Sequence, residues 1–160
     1  MTEPRWLTED EQHVWQAYLA LQRELQGAQE RQLERDSGLS TADYTLLVPL
    51  SGAPDGLLRA RDLARRAGWE RSRISHQVSR MEKRGLVARE ECPDDARGSM
   101  VRLTESGRAA IEAAAPDHVA TVRRYFFDPL SAEETAQLGK LFDRMLARLA
   151  LDSRDAQEIQ

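Results

Sequence analysis

The sequence predicts a mainly α-helical fold carrying one small β-hairpin. Three observations predict it. Apolar residues recur three and four positions apart through most of the chain, which is the period of a single helix face. Capping boxes, glycines and prolines fall between those stretches as helix starts and stops. Residues 86–91 and 100–103 alone read as paired strands, flanking a turn rich in Pro, Asp and Gly.

The elements follow in order. Thr8 and Glu11 form a Thr-x-x-Glu capping box. Behind it, Val14, Tyr18, Leu21 and Leu25 lie on one helix face, widened by Trp15 and Leu19, and this helix is expected to run to about Asp36. Ser37-Gly38 ends it, with Gly38 suited to a left-handed cap. Ser40 and Asp43 resemble a second cap, followed by Tyr44, Leu47, Val48 and Leu50. Pro49 predicts that this helix is short or kinked. Residues 51–56 are a loop, and Leu57-Leu58 a small strand. A helix over 61–67 closes at Gly68. Trp69-Glu70 is a tight connection to a helix over 71–84, whose apolar stripe is Ile74, Val78 and Met81 and which Gly85 stops. The hairpin comes next, with residues 93–98 as its turn. Thr104 caps a further helix with an expected kink at Pro116, and Asp128-Pro129 breaks it. Ser131 and Glu134 form another capping box before the stripe Leu138, Leu141, Phe142, Met145 and Leu149. From Ser153 onward the chain is polar and is expected to fray.

Composition excludes several classes. Of 160 residues, 41% are hydrophobic and 31% charged, too apolar for a disordered chain and too charged for a membrane span. No apolar core opens the chain as a signal peptide would. One cysteine, Cys92, excludes an intramolecular disulfide and a Cys-pair zinc site. The expectation is a soluble intracellular protein. The net charge of -4 seems wrong for a partner of nucleic acid. Its distribution is not uniform. From Arg59 to Arg89 there are ten basic and three acidic residues, a net +7, which leaves -11 elsewhere. This reads as a basic module in an acidic frame, or as a solvated Arg-rich surface.

The order helix, short turn, helix, strand, turn, strand is that of a winged helix-turn-helix. A recognition helix must bury one face and offer the other to the major groove. Here Ile74, Val78 and Met81 are expected inside. Ser72, Arg73, Ser75, His76, Gln77 and Arg80 lie off that stripe. They are types that bind phosphate or read base edges: Arg to guanine, Gln to adenine, Ser to either. An ordinary amphipathic helix also has a polar outer face, but its mixture usually includes Glu. No acid occurs among 72–77.

Leu63-Ala64 opens a longer pattern. Ser72-Arg73-Ile74-Ser75-His76-Gln77-Val78-Ser79-Arg80-Met81-Glu82-Lys83-Arg84-Gly85-Leu86-Val87 continues it, and Asp95-Ala96-Arg97-Gly98-Ser99-Met100-Val101-Arg102-Leu103-Thr104-Glu105-Ser106-Gly107 completes it. This pattern resembles the MarR family of bacterial transcription regulators, in which the helix ends Leu-Glu-Lys-Arg-Gly-Leu-Val, the wing holds Asp-x-Arg and the exit reads Leu-Thr-x-x-Gly. Met81 replaces the leucine. The motifs cover a little over a quarter of the chain, and the flanking helices match in order and length only. The resemblance implies a single domain over 1–160. Residues 1–36 and 105–150 would be dimerisation helices, 40–104 the winged DNA-binding lobe and 151–160 a flexible tail. It further implies a homodimer on palindromic double-stranded DNA, acting as a repressor, with half-sites about one helical turn apart. Arg97 would enter the minor groove, and Asp95 would orient its guanidinium. A small aromatic or anionic effector is implied between dimer core and lobe, for which Trp15, Tyr18 and Tyr44 are candidates by location.

The residues give dimerisation separate support. The stripes at 14–25 and 138–149 lie outside the winged module and must pack on each other or on a partner chain. Other functional readings are weak. His13 and His118 lie at no metal-ligand spacing, so no metal is expected. Cys92 enters the wing, whereas the oxidant-sensing cysteines of the resembling family sit in its first helix. A Gly-rich phosphate loop, His-Glu-x-x-His and Gly-x-Ser-x-Gly do not occur, so neither an enzyme nor a cofactor is expected. The alternative function is a winged-helix module that binds protein and not DNA.

Overall fold

The computed structural model describes the backbone of residues 4–92 and 95–158, and the side chains of all of these except 95–97 and 151–158. The chain forms two compact units, Met1–Thr121 and Val122–Gln160. The first contains α1 (Glu9–Ser37), α2 (Thr41–Ser51), a single 3-10 turn (Pro54–Gly56) and β1 (Leu57–Arg59). It continues with α3 (Ala60–Ala67), α4 (Arg71–Lys83), β2 (Val87–Cys92), β3 (Asp95–Leu103) and α5 (Glu105–Val122). The strands form one antiparallel sheet in the order β1-β3-β2. The fold is the expected one, mainly α with a β-hairpin wing behind a helix-turn-helix.

The helix starts follow the capping residues. The Thr8 hydroxyl accepts the Glu11 N–H at 3.2 Å, and the Glu11 carboxylate accepts the Thr8 N–H at 2.9 Å. Ser40 and Asp43 repeat this at α2, with distances of 3.0 and 2.9 Å. Thr104 caps α5 by accepting the Gly107 N–H at 3.0 Å. Pro49 lies in the last turn of α2, two residues before its end, so the helix is short as expected. Pro116 does not interrupt α5, which continues to Val122.

The hairpin departs from expectation at its tip. Strand β3 starts at Asp95, within the expected turn, and pairs Cys92 with Asp95 and Glu91 with Ser99. The register shift between Glu91 and Cys92 is a bulge on the longer strand. Only residues 93 and 94, outside the described residues, separate the strands. Pairing through the backbone at Asp95 extends the strand into the expected turn, and 96–98 form the bulge. Nearer the body, both Arg102 and Glu90 stand on the hairpin. Arg102 Nη2 donates to Glu90 Oε2 at 3.0 Å, and this guanidinium holds the Glu90 carboxyl below the usual carboxylate range.

One core serves the first unit. Leu33 from the end of α1, Leu46, Leu47 and Leu50 from α2, and Leu63 from α3 are fully buried. They meet Ile74, Val78 and Met81 of α4, Val87, Val101 and Leu103 of the sheet, and Ile111 and Ala114 of α5. The start of α5 approaches the wing so closely that Gly107 is required. A Cβ there would fall inside the Leu86 carbonyl and 2.8 Å from Leu103 Cδ1. Backbone cannot yield as a flexible side chain would. Gly107→Ala is therefore expected to destabilise the protein by about 3 kcal/mol, the upper end for overpacking, measured by urea unfolding. A loss under about 0.5 kcal/mol, the ordinary scale of a surface change, would refute the close approach.

The second unit holds a π-helical turn (Arg123–Phe127), a break at residues 128–130 and α6 (Ala132–Glu158). The turn is closed by the Asp128 N–H to the Arg123 carbonyl at 2.7 Å. Ser131 and Glu134 start α6 with a reciprocal box at 2.8 and 3.1 Å. The backbone of α6 is helical to Glu158, past Ser153 where the polar tail begins. Among the described residues no helix is long and apolar enough to cross a membrane.

Candidate nucleic-acid interface

The turn between α3 and α4 is a full Schellman motif. Gly68 adopts φ 66°, which a left-handed cap requires. Its N–H donates to the Arg65 carbonyl at 3.3 Å, and the Trp69 N–H donates to the Ala64 carbonyl at 3.0 Å. Trp69 is thereby pinned and packs, half-buried, against the core. Glu70 is the N-cap of α4 without a side-chain cap bond.

Helix α4 buries Ile74, Val78 and Met81, as expected. Ser72, Arg73, Ser75, His76 and Arg80 are all exposed on its other side. Gln77 corrects the expectation: it is only 8% exposed and does not belong to the outer face. The reason is geometric. Residue 77 is three beyond Ile74 and four before Met81, so it falls on the same stripe as Val78. Its amide Nε2 donates to Asp43 Oδ1 at 2.7 Å, and the side chain is not placed to read a base.

Asp43 itself has no exposed surface. Besides Gln77, its Oδ2 accepts the Ser40 N–H at 2.9 Å and Arg84 Nη1 at 2.6 Å. Arg84 Nη2 also donates to the Gly38 carbonyl at 3.1 Å. One buried carboxylate thus ties the α1–α2 junction to the middle and the end of the recognition helix. Arg89 of β2 ties the helix from the other side. It pairs with Glu82 at 3.3 Å and donates through Nη2 to the Ser75 carbonyl at 2.8 Å and the Ser79 hydroxyl at 2.9 Å.

These contacts change the charge count. Arg84 and Arg89 are used structurally, and Arg61 and Arg65 flank Asp62 at 3.9 and 2.5 Å. Among the described residues Arg66, Arg71, Arg73, Arg80 and Lys83 form no ion pair, so no carboxylate neutralises their charge. A groove of about 320 Å³ opens beside α4, lined in part by Arg61, Arg71, Arg89, Ser72, Ser75 and Ser99. Of its three guanidinium groups only that of Arg71 forms no ion pair among the described residues, and Ala60, Ile74, Val78 and Val101 give the groove an apolar floor. The Arg73 guanidinium lies 3.8 Å over the centre of the Trp69 ring.

The remaining expected residues are dispersed. Asp95 and Arg97 stand on β3, but their side chains lie outside the described residues. The Trp15 and Tyr18 rings are 5.6 Å apart and both exposed. Tyr44 faces His118 instead, at 4.2 Å. Burial lowers the His118 imidazole below its ordinary range. Among the described residues no ring contact joins the two pairs. Cys92 is buried. No group of three or more His, Cys, Asp or Glu among the described residues could hold a metal ion.

The links of Asp43 to Gln77 and Arg84, of Arg89 to Glu82, and of Trp69 to Arg73 are not legible in the sequence. Asp43 gave a local signal as a capping residue, but its partners lie 34 and 41 positions away, beyond any periodicity. Arg89 and Trp69 gave no such signal.

A helix-turn-helix with an adjoining β wing, and an exposed recognition face free of acids over 71–76, defines a winged helix-turn-helix protein. Residues 37–98 match the model of the MarR family. The chain is 44% identical to Sco3205, a MarR family transcriptional regulator from Streptomyces coelicolor solved in complex with DNA. The match covers 92% of this chain and 91% of that one, with a TM-score of 0.86. AbsC, a MarR family transcriptional regulator of the same organism, is 40% identical over 92% of this chain and 99% of its own, with a TM-score of 0.88. The transcriptional repressor YetL of Bacillus subtilis is 28% identical over 111 residues, 68% of this chain and 66% of that protein. The chain belongs to the MarR family of transcriptional regulators.

Proposed function

We propose that this protein is a cytoplasmic, non-catalytic repressor that binds palindromic double-stranded DNA as a homodimer. The observation that carries this reading is the exposed face of α4, where Arg71, Ser72, Arg73, Ser75, His76 and Arg80 stand together with no acid among them. The DNA complex of Sco3205 supports the DNA partner, and the name of YetL supports repression. Ser72, Arg73, Ser75 and His76 make groove and phosphate contacts, and Arg80 contacts phosphate. Arg97 enters the minor groove, oriented by Asp95. Residues 40–104 are the DNA-binding lobe, and 1–36 with 105–150 hold the dimer. A small aromatic or anionic effector acts near Trp15, Tyr18 and Tyr44, the first two paired on α1 and Tyr44 against His118.

Selection from a random-sequence duplex pool tests this. The expected product is an inverted repeat with half-sites about 34–36 Å apart. Binding to it should survive about 0.15 M salt and exceed binding to unrelated duplex by about 10³-fold or more. Binding that vanishes equally on all sequences at that salt would favour a protein-binding module. On the selected duplex, Arg97→Ala should lower the slope of log affinity against log salt by about one. An unchanged slope and affinity would remove Arg97 from the interface.

A further inference from the structure

We propose that Trp69 is a positioning residue for DNA recognition: its indole is the platform that holds the Arg73 guanidinium in place before DNA arrives. The inference rests on the DNA-binding reading above. Three observations join. The Arg73 guanidinium carbon lies 3.8 Å from the Trp69 ring centre, well within cation–π range. Trp69 is itself fixed, by the Schellman hydrogen bond to Ala64 and by its contact with the core. Arg73 stands in the first turn of α4, where a recognition helix contacts base edges.

The chemistry favours this arrangement. An exposed arginine samples many rotamers, and each must be given up when it binds. Stacking covers one face of the guanidinium and leaves its in-plane N–H groups available. Those are the groups that form the bidentate contact to guanine O6 and N7. The acid nearest in sequence, Glu70, forms no ion pair with Arg73 among the described residues, so the platform orders the cation without neutralising it. The helix-turn-helix turn thereby has two tasks. It sets the angle between α3 and α4, and it aims one side chain.

A double-mutant cycle on the duplex selected by the wild-type protein tests the pairing. Trp69→Leu should weaken binding about fivefold, within the range of a partly desolvated cation–π contact. Trp69→Phe, which keeps an aromatic face, should weaken it about twofold. In the Arg73→Ala background neither change should matter to binding, although Trp69→Leu should lower thermal stability in both backgrounds through its lost core contact. Should Trp69→Leu not fold, Trp69→Phe alone carries the cycle. Equal losses of affinity with and without Arg73 would show that Trp69 acts only through the fold and would overturn the proposal, as would full affinity in folded Trp69→Leu. A wild-type protein that selects no duplex would instead overturn the DNA-binding reading itself.

Discussion

Replacing Arg84 with alanine is expected to cost about 2–3 kcal/mol of unfolding stability, and replacing Asp43 with asparagine only about 1 kcal/mol. The difference comes from which group is stranded. The Asp43 side chain has no exposed surface, while the Arg84 side chain is 45% exposed. Without Arg84 the carboxylate keeps its bonds from Ser40 and Gln77 but loses its cation in a buried place. The loss stays below the about 3–5 kcal/mol of a fully buried pair, because the outer part of Arg84 is already in water. In Asp43→Asn the carbonyl oxygen can take the place of Oδ2 and keep accepting from Ser40 and Arg84. The amide nitrogen then faces Gln77, which can turn over and offer its own oxygen. The three hydrogen bonds from Ser40, Gln77 and Arg84 are each replaced, while charge assistance and one amide N–H are lost. Arg84→Lys should fall between, since lysine restores the charge without the fork that spans Asp43 and Gly38. Urea unfolding at fixed protein concentration, followed by circular dichroism, gives the order. Arg84→Ala within about 0.5 kcal/mol of wild type would refute a buried anchor at Asp43. Arg84→Ala should also bind the selected duplex less tightly, since α4 would lose the tether at its end.

The local parts of this architecture were legible in the sequence. Capping boxes at Thr8, Ser40 and Ser131 mark helix starts because their hydrogen bonds span three residues. The stripe Ile74, Val78 and Met81 marks the inner face of α4 because the helical period is local. Longer-range features were not legible. Gln77 has the composition of a base-reading residue, and only its bond to a carboxylate 34 positions earlier shows otherwise. The charge count has the same limit. It separates the basic segment from the acidic remainder, but it cannot tell Arg84 and Arg89, held by Asp43 and Glu82, from Arg71 and Arg73. The start of β3 is not legible for a related reason, since Asp95 pairs with Cys92 through the backbone whatever its side chain, while 96–98 are bulged. The exposed apolar stripes were legible as stripes, and what covers them was not.

Met145→Glu is expected to abolish the dimer and, with it, about 10²-fold or more of operator affinity. In α6 the side chains of Leu141, Phe142, Met145, Leu146 and Leu149 are between 39% and 63% exposed. In α1, Val14, Trp15, Tyr18, Leu19 and Leu21 are between 44% and 65% exposed. On each helix, apolar residues at helical spacing left in water mark an interaction surface and not ordinary surface scatter. A second copy of the chain is the occupant that also satisfies a palindromic site, because a two-fold dimer presents two recognition helices. Met145 sits in the middle of the α6 stripe, so a two-fold interface would receive the added charge twice. The helix itself should persist, since glutamate is a good helix former. The variant should therefore sediment as a single chain of 18.1 kDa with unchanged helical content. Each monomer would then occupy one half-site independently and lose the effective concentration that links the second contact to the first, worth on the order of 10²–10⁴-fold. A substitution of Glu133, a charged residue in the first turn of the same helix, should leave both mass and affinity unchanged. Wild-type protein sedimenting as a monomer, or a Met145→Glu variant that stays dimeric, would place the dimer contact elsewhere.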